Sequence, residues 1–79
     1  GNHYIGSAYS DLGKFKESIK HIHQAQAYTD FLKADPIQDS KNYALLGSNY
    51  MHLDLFSLSA KNFKKAIDII NTIKSLFKN

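Results

Sequence analysis

A five-residue word occurs twice in this chain. Ile5-Gly6-Ser7-Ala8-Tyr9 returns as Leu46-Gly47-Ser48-Asn49-Tyr50, with the two glycines 41 positions apart. The same offset pairs Leu12 with Leu53, Phe15 with Phe56, Ser18 with Ser59 and Ala25 with Ala66. A fixed period of this size restricts the chain to like units stacked side by side, none of which buries its apolar face alone. Glycine inside a helix costs about 1 kcal/mol relative to alanine, so Gly6 and Gly47 need a packing reason. Lacking a side chain, each lets a second helix approach closely. Tyr9 and Tyr50, three residues further on, lie on the same side and fill the space beside that contact.

Size narrows the reading further. A chain of 79 residues is one small domain at most, and it hides only about 60% of its unfolded surface. There is no cysteine, which excludes disulfides and thiolate metal sites as sources of extra stability. The apolar fraction of 43% suits a packed chain rather than a disordered one. No apolar run approaches the roughly 18 residues of a membrane span, and no signal-peptide pattern opens the sequence. Gly1 stands where a methionine would, so residues 1–79 read as a single segment of a longer protein, with Gly1 left by tag removal. The net charge of +3 comes from ten lysines and no arginine, spread along the chain. Spread lysines fit solvated outer helix faces better than a nucleic-acid or anionic-membrane surface, where arginine is favoured for its paired donors.

Taken in order, residues 2–11 read as a short helix on the three- and four-residue steps of Tyr4, Ile5, Ala8, Tyr9 and Leu12. Gly13 follows, in the position where a helix end wants positive φ. Residues 14–33 read as a long second helix. Its buried stripe is expected to be Phe15, Ile19, Ile22, Ala25 and the Tyr28–Leu32 cluster, with Lys14, Lys16, Glu17, Lys20, Gln24 and Lys33 outside. Asp35-Pro36-Ile37-Gln38 is a helix start: Pro36 fits the first turn, Asp35 caps it, and Gln38 completes a capping box. The third helix should run to His52 or Leu53. Asp54 replaces the first copy's turn glycine and tolerates the same left-handed backbone. Residues 55–77 form the fourth helix. Its apolar residues are too many for one stripe, so it should touch something on more than one side.

Tyr43-x-x-Leu46-Gly47-x-x-Tyr50 followed by Ser59-x-x-x-Phe63 resembles the tetratricopeptide repeat, and Leu53, Phe56 and Ala66 stand where that family places a turn leucine, an aromatic and a small packing residue. The first copy is similar in Ile5-Gly6-x-x-Tyr9, Leu12-Gly13-x-Phe15, Ser18-x-x-x-Ile22 and Ala25. The repeat here is about seven residues longer than the family's, nearly two helical turns, which resembles the long-helix variety found in bacterial signalling proteins and scaffolds. The family's closing proline is missing, with Asp30 and Asn71 in its place, and Asn2 stands where a bulky apolar residue belongs.

What the resemblance implies is a concave face lined by the first helix of each unit. Its exposed positions are His3, Ser7, Ser10 and Asp11, then Lys41, Ala44, Ser48, Met51 and His52. Such a face suits an extended peptide or a helix laid in a groove. The family's clamp for C-terminal carboxylates is not reproduced, because Ser7 and Leu45 occupy the asparagine positions. Other chemistry finds little footing. His21 and His23 are about 200° apart around a helix, whereas zinc-binding pairs are spaced four residues apart on one face. No nucleophile–base order, phosphate loop or close carboxylate pair is readable. The aromatics fall at helical spacing, which marks core packing rather than base stacking.

The expected fold is all-α: two antiparallel helical hairpins, four helices in all, of a tetratricopeptide-like right-handed α-solenoid, with units at residues 2–34 and 36–78. The expected function is protein or peptide binding within a larger bacterial signalling or transcription-regulatory protein. No enzyme activity, metal, cofactor, nucleic-acid partner or membrane insertion is expected. Self-association is expected through the apolar face of the last helix. The cytoplasm is the expected compartment, with a periplasmic sensory region as the alternative. Two rival readings are a structural oligomerisation or spacer segment without a ligand site of its own, and a nucleic-acid-binding helical repeat.

Overall fold

Repetition in the sequence returns as repetition in the turns. The structure, a computed structural model, describes residues 2–32 and 35–78, with the side chains of residues 2, 3 and 29–32 outside the description. It contains four helices: α1 (Asn2–Asp11), α2 (Phe15–Leu32), α3 (Pro36–His52) and α4 (Phe56–Leu76), with no strand among the described residues. After α1, the Lys14 N–H donates to the Tyr9 carbonyl at 2.8 Å and the Gly13 N–H to the Ser10 carbonyl at 3.0 Å. After α3, the Leu55 N–H donates to the Tyr50 carbonyl at 2.9 Å and the Asp54 N–H to the Met51 carbonyl at 3.0 Å. Both pairs are the six-to-one and five-to-two bonds of a Schellman ending, which satisfies the last carbonyls of a helix. The ending requires a left-handed residue, supplied by Gly13 at φ 76° and Asp54 at φ 61°.

The start of α3 follows the sequence reading in part. Asp35 Oδ1 accepts from the Ile37 N–H at 2.9 Å, and Pro36 occupies the first turn. The expected reciprocal half of a capping box gives way to another bond: Gln38 Nε2 donates to Asn42 Oδ1 at 3.4 Å, one turn further along α3. The expected helix bounds agree with the structure to within a residue at α2 and α4.

Packing follows chain order. α1 rests on α2, α2 on α3 and α3 on α4, α1 also touches α3, and among the described residues α4 packs on α3 alone. The molecule measures 42 × 27 × 18 Å, and its short dimension admits no more than two helix thicknesses. The apolar core is correspondingly thin: Ile22, Leu46, Ala66 and Ala25 are buried, while Phe15, Ile19 and Phe63 are half-buried. Tyr28, expected in the buried stripe of α2, is exposed, while the side chains of the Thr29–Leu32 part of that stripe, and Lys33, lie outside the description.

The two glycines sit where close approach demands them. A Cβ on Gly47 would lie 2.8 Å from Cγ and Cδ1 of Phe63, and one on Gly6 would lie 3.0 Å from Cγ1 of Ile22. A serine locks each contact. Ser18 Oγ donates to the Gly6 carbonyl at 2.6 Å, and Ser59 Oγ donates to the Gly47 carbonyl at 2.7 Å. Both serines are buried, so each makes a second bond, in a dry site, to a carbonyl that its own helix already engages.

Candidate partner-binding face

α1 and α3 carry the nine residues of the expected face, and one asparagine fixes these helices against each other. Asn49 is fully buried. Its Oδ1 accepts from Ser10 Oγ of α1 at 2.8 Å, and its Nδ2 donates to Ser18 Oγ of α2 at 2.8 Å. Ser18 Oγ in turn donates to the Gly6 carbonyl. A continuous line of hydrogen bonds therefore runs from α1 through α3 to α2 and back to α1. Buried networks of this kind hold one arrangement of helices because any shift leaves several polar groups unpaired at once.

The nine residues fare differently. Ser10, expected at the exposed surface, is half-buried and committed to Asn49. His52 is exposed at one ring face, while the other stacks on Phe15 of α2 at 4.6 Å between centroids and 16° between planes. His52 Nδ1 lies 2.8 Å from the Ser48 carbonyl. A carbonyl only accepts, so Nδ1 carries a proton there. Asp11, Lys41 and Met51 are exposed, and Ser7, Ala44 and Ser48 are half-buried. No hydrogen bond or ion pair joins Ser7, Asp11, Lys41, Ala44 or Met51 to one another among the described residues. The side chain of His3 lies outside the description.

Asn49 is the residue that sequence reasoning passed over. Periodicity follows apolar residues and glycine, and Asn49 entered only as the fourth letter of the repeated word. The available signal was its departure from Ala8, its counterpart in the first copy.

The remaining polar and aromatic groups brace the helices. Tyr9 stacks on His21 at 5.2 Å, so the tyrosine beside Gly6 fills the angle between α1 and α2. Lys65 Nζ sits 5.3 Å from the Tyr43 ring centroid, a cation–π contact from α4 to α3. No group of three His, Cys, Asp or Glu side chains placed to hold a metal ion occurs among the described residues. No described helix is long and apolar enough to cross a membrane. A groove of about 290 Å³ lies between Pro36 at the start of α3 and Asp68, Ile69, Thr72, Ile73 and Leu76 of α4; it has an apolar lining and one carboxylate. No protein-family model, curated protein or solved structure matches this chain.

Proposed function

We propose that this chain is a protein- or peptide-binding module of tetratricopeptide type, two antiparallel hairpins of a right-handed α-solenoid, serving a larger bacterial signalling or transcription-regulatory protein. The observation that carries the reading is the Ser10–Asn49–Ser18 line. It pins α1 to α3. A face held in place before binding spends less of its interaction energy on ordering, which favours recognition of a flexible peptide.

Support for the hairpins comes from the order of contacts. Along α3, Pro36, Tyr43 and Gly47 meet α4 at Thr72, Lys65 and Phe63, so one helix rises as the other falls. Along α1, Gly6 meets Ser18 and Ile22 of α2, and Tyr9 stacks on His21 between them in sequence. The face offers varied chemistry to a partner: a carboxylate at Asp11, an ammonium at Lys41, an adaptable thioether at Met51 and an imidazole at His52. Such a mixture suits an extended peptide carrying both charges. The cytoplasm is the compartment this reading assumes.

A second observation adds self-association to the proposal. Phe56, Ile67 and Ile70 of α4 are large apolar residues left exposed on one side of the helix, a feature that suits an interaction surface.

A peptide array probed with the 79-residue chain tests the binding face. Bound peptides should be released by the double variant Lys41→Glu, Ser48→Arg, with helical circular dichroism unchanged. Peptide binding that survives both changes would refute the site. A salt-sensitive affinity for RNA or DNA in place of peptide binding would refute the function.

A further inference from the structure

Equivalent positions of the two copies differ in exposure, and the differences gather on two faces. On α4, Phe56 is 63% and Ile67 55% exposed. Their counterparts on α2, Phe15 and Gln26, are half-buried. On α1, Tyr4 is 77% and Leu12 72% exposed, and Ala8 is exposed. Their counterparts on α3 are Leu45 and Leu53, both half-buried, and Asn49, at 0%. At the α2–α3 junction inside the chain, Asn49 meets Ser18 and His52 stacks on Phe15. The α4 face thus repeats the α2 side of a junction, and the α1 face repeats the α3 side. The two faces are not in contact within one molecule.

Resting on the self-association reading above, we infer that a second copy of this chain covers α4 with its α1, in the register that α2 uses for α3. Phe56 then meets Asp11 and Leu12 of the second copy, as Phe15 meets His52. The contact is heterologous, since it joins two different faces. It leaves the second copy's α4 open, so association proceeds head to tail rather than stopping at two. α1 is 10 residues long, about 15 Å, and reaches along α4 from Phe56 to near Phe63. A contact of that length falls in the small, weak class of interfaces.

Sedimentation equilibrium of the full chain, from low concentration up to about 1 mM, tests this. The average mass should rise past that of a dimer. Phe56→Glu and Leu12→Glu, both at exposed positions, should each abolish the rise with helicity retained. Mixing the two variants should then produce a 1:1 dimer that does not grow, because one retains α1 and the other retains α4. Association that stops at a dimer, responds to Phe56→Glu but not to Leu12→Glu, and gives no mixed dimer would place α4 against α4. It would overturn this inference while leaving self-association standing. A chain that stays monomeric throughout would overturn both.

Discussion

Replacing Gly47 with alanine sets two effects of known size against each other. The helix gains about 1 kcal/mol of intrinsic preference. Against that, the new methyl would stand 2.8 Å from Cγ and Cδ1 of Phe63 and 2.9 Å from Cε1, where carbons prefer about 3.5–4.0 Å. Cγ is tied directly to the Phe63 Cβ, so the ring cannot swing clear as a flexible tip would. Either its χ angle leaves the rotamer, at about 0.5–1.5 kcal/mol, or α4 moves back by most of an ångström. Overpacking of this kind costs about 1–3 kcal/mol. Retreat of α4 would also stretch the 2.7 Å bond from Ser59 to the Gly47 carbonyl, worth about another 1 kcal/mol. The net expectation is a loss of about 1–3 kcal/mol, or a fall in Tm on the order of 10 °C for a domain this small. Gly6→Ala should cost less, because its closest neighbour is a single Ile22 carbon at 3.0 Å. Urea unfolding followed by helical circular dichroism measures both, and adding Phe63→Leu to Gly47→Ala should restore part of the loss. A Gly47→Ala chain as stable as the parent would refute the close-approach reasoning.

Other substitutions separate the two copies. Ser18→Ala should cost about 2–3 kcal/mol, because it leaves buried Asn49 Nδ2 without this acceptor and also removes the side-chain bond to the Gly6 carbonyl; Ser59→Ala, which affects one bond, should cost about 1 kcal/mol in the same unfolding assay. Asp54→Gly should stabilise by about 0.5–1 kcal/mol and Gly13→Asp should destabilise by a similar amount, since both positions hold the same left-handed turn; thermal melts that rank them the other way would contradict this. Asp35→Ala should cost about 1 kcal/mol, with amide exchange rising first at the start of α3, through loss of the cap on Ile37.

Much of this fold was legible because its signals are local. Gly13 and Asp54 mark turns by backbone preference, Asp35-Pro36 marks a helix start by capping chemistry, and Gly6 and Gly47 announce close contacts through the absence of a side chain. The structure places each of these features as the residues suggested. What escaped depends on groups far apart in sequence. Ser10, 39 positions from Asn49, reads as a surface serine until the fold brings the two to 2.8 Å. His52 reads as a groove residue, yet one ring face is taken by Phe15. Gln38 has two possible partners within a turn, and only the packed helix shows that Asn42 is its partner. The excess of apolar residues in α4 was visible beforehand. The surface that complements it was not, because that required comparing the exposure of each residue with its counterpart in the other copy.

The central claim is that each copy buries a bare glycine under the helix that follows, and that the second copy does so beneath an aromatic ring. Proton NMR reads this directly at the Gly47 α-protons. The account predicts resonances shifted well upfield by the Phe63 ring, returning toward ordinary glycine values in Phe63→Leu, while the Gly6 α-protons beneath Ile22 are insensitive to that substitution. Ordinary Gly47 shifts in the folded parent chain would contradict it.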